Sequence, residues 1–254
     1  EYPNPPRNTF LNYWGNPDLK FCLANIDPSG NPTNGITRTS TTVAAWNADD
    51  NFEANAMKKT INGGINAWNP AKYLNIWVCN LSNSSGSGMT LGYAYLPGLQ
   101  SWNAWKDGLV IDFQFFGTVG GASASSDGRT ATHEIGHYLG LMHTFCEDTD
   151  NQGNPICCDN DNNSWSGNVD DTPATKDIYF GSVTSNTSNN TCNDLGYSNI
   201  FTTNILDMDE NYMSYASNTW MFSTDQVNVM NATLNGYRSS LKNTTVSMNC
   251  DGSV

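Results

Sequence analysis

An α+β fold is the expectation from this sequence, and three observations predict it. Apolar stretches with strand-like alternation are confined to the first half and end in the strongly apolar run from Leu109 to Phe116. A helix-compatible segment rich in His follows close behind. Residues 146–210 are then dominated by Asn, Asp, Ser and Cys, until a last helical pattern near the end. A lobe of strands and helices over residues 1–140 and an irregular lobe over 141–254 are expected to form a single domain, since 254 residues suffice for one sizeable core.

The elements follow in order. Residues 1–20 are rich in Pro and Asn and show no helical period. Residues 19–26 and 73–81 read as strands, the second through the alternation of Leu74, Ile76 and Val78. Residues 49–62 are the best helix candidate in the first half, stopped by Gly63 and Gly64. Residues 82–88 form a Ser- and Gly-rich loop, and 89–95 look like a strand beside a cleft. Residues 109–116 are apolar enough for a central strand. A loop of small residues from Gly117 to Asp127 leads into a helix near Gly128. Residues 224–241 read as a helix with Ser223 or Thr224 as N-cap and Val227, Met230, Leu234 and Leu241 toward the core.

Residues 133–143 read His-Glu-Ile-Gly-His-Tyr-Leu-Gly-Leu-Met-His. His133 and His137 are four apart, so on a helix they share a face and can grip one metal ion. Glu134 follows the first His, where it can reach a water on that metal. Gly140 can end the helix in a left-handed conformation that strains other residues. The chain can then turn back so that His143 supplies a third ligand. Three neutral imidazoles leave the fourth position of a tetrahedral zinc open, the pattern of a catalytic site. A lone His-Glu-x-x-His arises by accident on helices. The extended form is much harder to reach by chance, and it uses all three histidines of the chain.

Composition excludes several function classes. A formal charge of -13 argues against nucleic acid and anionic membrane surfaces, and leaves carboxylates for calcium. No apolar run reaches the length of about 18 residues that a membrane span needs. The start at Glu1 shows no positive region followed by an apolar core, so any signal peptide is expected to be gone. Seven cysteines fit an oxidising compartment and hence a secreted, extracellular protein. A cysteine zinc site lacks the paired Cys-x-x-Cys sequences it needs. Cys22 and Cys79 each sit in a strand-like segment and could bridge neighbouring strands. Cys146, Cys157, Cys158 and Cys192 crowd the segment after the histidines and are expected to staple it. An odd count leaves at least one cysteine free or paired outside the chain.

The extended motif resembles that of the metzincin clan of zinc endopeptidases. Asn211-Tyr212-Met213-Ser214-Tyr215 resembles the clan's Met-turn. Within the clan the chain is similar to the pappalysin family. Phe21-Cys22-Leu23-Ala24, Gly35-Ile36-Thr37-Arg38, Ala67-Trp68-Asn69-Pro70, Tyr73-Leu74-Asn75-Ile76-Trp77-Val78, Leu91-Gly92-Tyr93-Ala94 and Asp171-Thr172-Pro173-Ala174 carry this likeness. The resemblance implies a twisted mixed sheet plus helices in the N-terminal lobe, ending in the zinc helix. It implies an irregular C-terminal lobe with the Met-turn and a C-terminal helix, and a cleft between the halves. It also implies an opening strand and long helix before Phe21, which residues 1–20 do not match.

By the same resemblance the chain is expected to be a zinc endopeptidase acting on polypeptide substrates as a monomer. Glu134 would be the general base, and Tyr215 would bind zinc at rest or donate to the oxyanion. Met213 and Gly140 would be structural. An extended peptide could add to the strand at 89–95 through backbone hydrogen bonds. Asp159 and Asp161 begin like a calcium loop, with Asp170 eleven residues after Asp159. Ser164 stands where an EF-hand needs Gly, and the resemblance places calcium near Asp171 and Thr172 instead. Asp159, Asp161, Asp170, Asp171 and Thr172 are therefore the expected calcium ligands. The pocket beside the zinc would be walled in part by Ala216-Ser217-Asn218-Thr219-Trp220, which holds no acid. An apolar or broad preference just after the scissile bond follows, unless Asp207 or Asp209 folds into the pocket. The alternative is a calcium-dependent surface-binding module on a vestigial protease scaffold. The intact set of His133, Glu134, His137 and His143 speaks against it.

Overall fold

The computed structural model describes residues 5–86, 88–159, 167–242, 246 and 248–249. Its strands are β1 (Trp14–Gly15), β2 (Leu23–Ala24), β3 (Trp46–Asn47), β4 (Ile76–Cys79), β5 (Leu81–Ser82), β6 (Gly92–Ala94), β7 (Leu109–Asp112), β8 (Phe222–Ser223) and β9 (Met248–Asn249). Its helices are α1 (Glu53–Ala56), α2 (Thr130–Tyr138), α3 (Thr224–Asn235) and α4 (Ser239–Lys242). The chain forms two compact units, Asp18–Tyr138 with Leu234–Val254 and Glu1–Pro17 with Leu139–Thr233.

The first unit is built on a mixed sheet in the order β4-β7-β6. Strand β7 runs parallel to β4, with Trp77 opposite Val110, and antiparallel to β6, with Tyr93 opposite Val110. All four β7 residues are buried, as a central strand requires. The strand is shorter than its apolar run. The Asp112 carboxylate accepts from the Leu81 and Gln114 amides at 2.8 and 2.9 Å and turns the chain, leaving Phe113 and Phe116 exposed. Trp46, Ala56, Met57, Trp77 and Val110 pack as the core, and α2 lies against β6 and β7.

The helix expected over 49–62 is realised only as the single turn α1 and a 3-10 turn at Thr60–Asn62, ending at Gly63 with φ +88°. Asp50 explains the short start, because its carboxylate takes the amides of both Phe52 and Glu53 at 2.9 Å. Lys58 explains much of the rest. It is fully buried, its ammonium donates to the Lys106 carbonyl at 2.7 Å, and it faces the rings of Trp77, Tyr93 and Tyr95. Its position follows from that aromatic cage and not from a helical stripe. Arg238, also buried, bonds Asp107 and donates to the Tyr138 carbonyl at 2.6 Å, so a cation closes the last turn of α2.

The second unit has little regular structure. Strand β1 pairs with β8, and α3 begins with a reciprocal cap. The Gln226 amide donates to Ser223 Oγ at 3.2 Å, and Gln226 Oε1 accepts from the Ser223 amide at 2.9 Å. Val227 and Met230 are buried as expected, whereas Leu234 and Leu241 are only half-buried. Phe10, Met208, Trp220 and Met221 form a small core. Above it Arg7 makes a buried ion pair with Glu210 and donates to the carbonyls of Asp207 and Thr187. Disulfides Cys146–Cys158 and Cys157–Cys192 staple the polar segment. Cys22 and Cys79 are not bonded to each other. Cys22 is disulfide-bonded, while Cys79 on β4 is free. Cys250 lies outside the described residues.

Burial lowers Lys58 to about 7 from 10.5, with Asp107 opposing the shift. The unfolded chain therefore holds a proton there between pH 7 and 10.5 that the folded chain releases, so stability from this group rises with pH across that window. Lys58→Met should flatten that rise, by about 2 kcal/mol once the aromatic faces have offset part of the burial cost. Urea unfolding of both proteins at pH 7 and pH 10 measures it.

Candidate active site

Helix α2 carries His133 and His137 one turn apart on the same face. Their rings stand edge to face with centroids 4.8 Å apart, and their Nε2 atoms are 3.1 Å apart. The helix stops at Tyr138, and Gly140 takes φ +99°, a left-handed value that a side chain would strain. The turn brings His143 back. Ligand nitrogens of His133, His137 and His143 all lie within 4.8 Å of one another. Three nitrogens on a tetrahedral zinc stand ~3.3 Å apart, so the set fits that ion.

Glu134 is 4% exposed, and burial pushes its carboxyl up to about 8. Its Oε2 is buried without a hydrogen-bond partner among the described residues. The reason it can sit there is Gly92 on β6. A Cβ at that position would stand 3.2 Å from both Cγ and Oε1 of Glu134, and 3.0 Å from the Val110 carbonyl. A strand residue without a side chain thus makes the space for this carboxylate.

His143 stacks on Phe145 at 4.6 Å and meets the Tyr215 ring edge-on at 5.0 Å. Glu147 Oε1 lies 3.1 Å from His143 Nδ1, and a proton held there leaves Nε2 with its lone pair for a metal. The sequence reading missed Glu147, although its position four residues after His143 was a usable signal. Met213 is wholly buried, and its carbonyl accepts from the Thr144 amide at 3.2 Å, directly beside His143. Asn211 shapes the turn. Its Oδ1 accepts from the Met213 amide at 2.8 Å, and its Nδ2 donates to Gln226 at 2.8 Å. Cys146, Asp148 and Cys158 also converge, but that cysteine pair is a disulfide and offers no thiolate.

The remaining candidates divide. Asp161 lies outside the described residues. Asp170 and Asp171 each hold a buried Oδ1 with no hydrogen-bond partner among the described residues, and Asp171 Oδ2 accepts from the Asp225 amide at 2.9 Å. Burial raises Asp171 to about 6. Thr172 is buried next to it, and Asp159 is half-buried. Asp207 and Asp209 are buried and already engaged. Asp207 takes the Thr191 amide at 3.1 Å, and Asp209 takes Asn189 Nδ2 at 2.8 Å.

Comparison with known proteins agrees with this geometry. The peptidase M43 family model, described as pregnancy-associated plasma protein-A, matches residues 55–235. An extracellular metalloprotease of Pyricularia oryzae is 37% identical over 139 residues, which is 54% of this chain and 40% of that protein. One from Verticillium alfalfae is 38% identical over 117 residues, 44% of this chain and 36% of that protein. The matched stretch thus spans about two-fifths of the length of these relatives. Mature mirolysin of Tannerella forsythia, solved with a cleaved peptide, superposes with a TM-score of 0.73 at 34% identity, covering 93% of this chain and 79% of that one. Mirolysin in complex with a small compound gives a TM-score of 0.72 at 35% identity, with 91% of this chain and 78% of that one covered.

Gly92→Ala is the sharpest test of the Glu134 environment. The added methyl should displace the Glu134 carboxylate while leaving the three histidines in place. Bound zinc should stay near one per chain, and peptide turnover should fall about 10- to 100-fold in kcat with KM little changed. Metal analysis beside steady-state kinetics checks both halves.

Proposed function

The chain belongs to the pappalysin family of metzincin metallopeptidases, and on that premise we propose that it is a secreted zinc endopeptidase. One observation carries the proposal: the ligand nitrogens of three histidines converge within 4.8 Å, with Glu134 buried on the helix that carries two of them. A zinc ion, when bound, supplies the Lewis acidity that lets water attack an amide near neutral pH. Glu134 takes the proton from the attacking water on its carboxylate and returns it to the leaving amine. Tyr215, packed edge-on against His143, presents its hydroxyl to the oxygen where charge develops. Among the described residues β6 pairs with β7 alone, so its outer edge is left to hold an extended peptide through main-chain hydrogen bonds.

A polypeptide substrate suits this edge, and the likeness to a mirolysin structure holding a cleaved peptide supports it. The extracellular metalloproteases among its relatives and two disulfides support secretion. No helix of the described residues is long and apolar enough to cross a membrane. The protein is proposed to act as a monomer.

We also propose calcium as a structural ion at the acidic segment, held by Asp159, Asp161, Asp170, Asp171 and Thr172. The support is the buried Oδ1 of Asp170 and of Asp171, neither with a hydrogen-bond partner among the described residues. Hard oxygen donors of this kind suit calcium. Calcium added to chelator-stripped, zinc-replete protein should raise Tm by several degrees, and an unchanged Tm would remove the ion from the proposal.

Glu134→Ala tests the peptidase reading. Zinc content should stay at one per chain, because Glu134 is not a ligand. Casein hydrolysis should drop by about 10²- to 10⁴-fold, the usual worth of general acid–base catalysis. A wild-type protein that binds zinc but hydrolyses neither casein nor peptides would instead favour a binding module.

A further inference from the structure

Phe180 stands out in the second unit, because it is 70% exposed, close to Ile178 at 42%. Single exposed apolar residues are common and carry no meaning by themselves. This one continues a run of rings that starts at the metal-ligand candidate His143. His143 stacks on Phe145, both touch Tyr215, and Tyr215 meets Phe180 at a centroid distance of 5.9 Å. Phe180 is the exposed outer member of that run.

The loop bearing Phe180 is also held rigidly. Tyr179 folds back and donates to the Ser182 carbonyl at 3.1 Å. The Ser217 amide donates to the Gly181 carbonyl at 3.0 Å, and the hydroxyls of Ser182 and Ser217 are 2.7 Å apart. Asn218 closes the clamp from both sides. Its Oδ1 accepts from the Val183 amide at 2.7 Å, and its Nδ2 donates to the Val183 carbonyl at 2.9 Å. The stretch just after the Met-turn is therefore occupied by this loop, and its one amide side chain faces the loop's backbone. What the clamp leaves outward is the phenyl ring.

We propose that Phe180 is a specificity-determining residue, whose ring forms an apolar shelf for the substrate side chain just after the scissile bond. The inference rests on the peptidase reading and deepens it. A ring fixed before binding loses little entropy on contact, so it rewards apolar side chains efficiently. Asp207 and Asp209 are engaged elsewhere, and Asp177, three residues before Phe180, has Lys176 Nζ 3.9 Å from its carboxylate.

A peptide library varied at that position tests the shelf in the zinc-loaded 254-residue chain, with zinc content and circular dichroism as controls of folding. Wild type should cleave peptides with Leu or Phe there about tenfold more efficiently than peptides with Ala. Phe180→Ala should bring the two close to parity by lowering kcat/KM for Leu and Phe peptides alone. Phe180→Asp should shift the preference toward Arg and Lys. An unchanged profile in Phe180→Ala, or a wild-type profile dominated by Arg and Lys, would overturn the proposal. A wild type that cleaves no peptide would overturn the peptidase reading instead. The shelf is then read by equilibrium binding of the same peptides, where Phe180→Ala must weaken Leu and Phe peptides about tenfold and equal binding rejects it.

Discussion

The left-handed backbone at Gly140 is the constraint on which the metal-ligand set depends. A helix can offer two ligands to one ion from positions four apart, and His133 and His137 are placed to do so. It cannot offer the third, because the next residue on that face lies ~10 Å along the axis from the first. The helix must therefore stop and the chain must reverse within a few residues. A φ of +99° does this, and only Gly adopts it without strain. The reversal is pinned on both sides by apolar burial, since Leu139 and Leu141 are almost wholly enclosed. The Thr144 amide on Met213 then fixes where the returning strand sits, directly after His143.

That dependence on one turn makes sense of the second unit, which has too few apolar runs to fix such a turn by packing alone. Its order comes from polar groups satisfied in pairs. Arg7 is buried with Glu210 and spends its remaining donors on backbone carbonyls. Asn211 ties the turn at Met213 to Gln226, and Gln226 in turn closes the cap of α3. Buried charges and amides of this kind are weak evidence of net stability, because removing them from water costs about as much as their attraction returns. They are strong evidence of specificity, since each leaves an expensive unsatisfied group if the chain settles elsewhere. The two disulfides act differently, by restricting the unfolded chain.

What could be read from the sequence is what local spacing encodes. The four-residue step of the histidines, the Gly after them, the buried run that became β7 and the Ser223–Gln226 cap all depend on neighbours along the chain. The helix expected over 49–62 failed because Lys58 answers to Trp77, Tyr93, Tyr95 and Lys106, residues whose proximity no local pattern announces. The pairing of Cys146 with Cys158 and of Cys157 with Cys192 is equally non-local. Asp207 and Asp209 look available in sequence, yet they are consumed by Thr191 and Asn189. Glu147 sits at a legible spacing from His143, but an exposed Glu in an acidic chain gives no reason to single it out.

The site is also where local rules of good packing are broken, and the breaks share a direction. Glu134 is buried with an oxygen that lacks a partner among the described residues, and β6 gives up a side chain at Gly92 to make room. Both weaken a protein that contains no cation, by leaving a desolvated polar group or an unfilled strand position. A divalent cation among the three histidines would favour the charged carboxylate nearby and so offset the first. The buried cations of the fold are held differently. Lys58 is shielded by rings, and Arg7 and Arg238 are satisfied by carboxylates and carbonyls. A buried carboxylate oxygen without a partner among the described residues, set beside three converging imidazoles, marks a place suited to receive an ion rather than one built only to hold the fold.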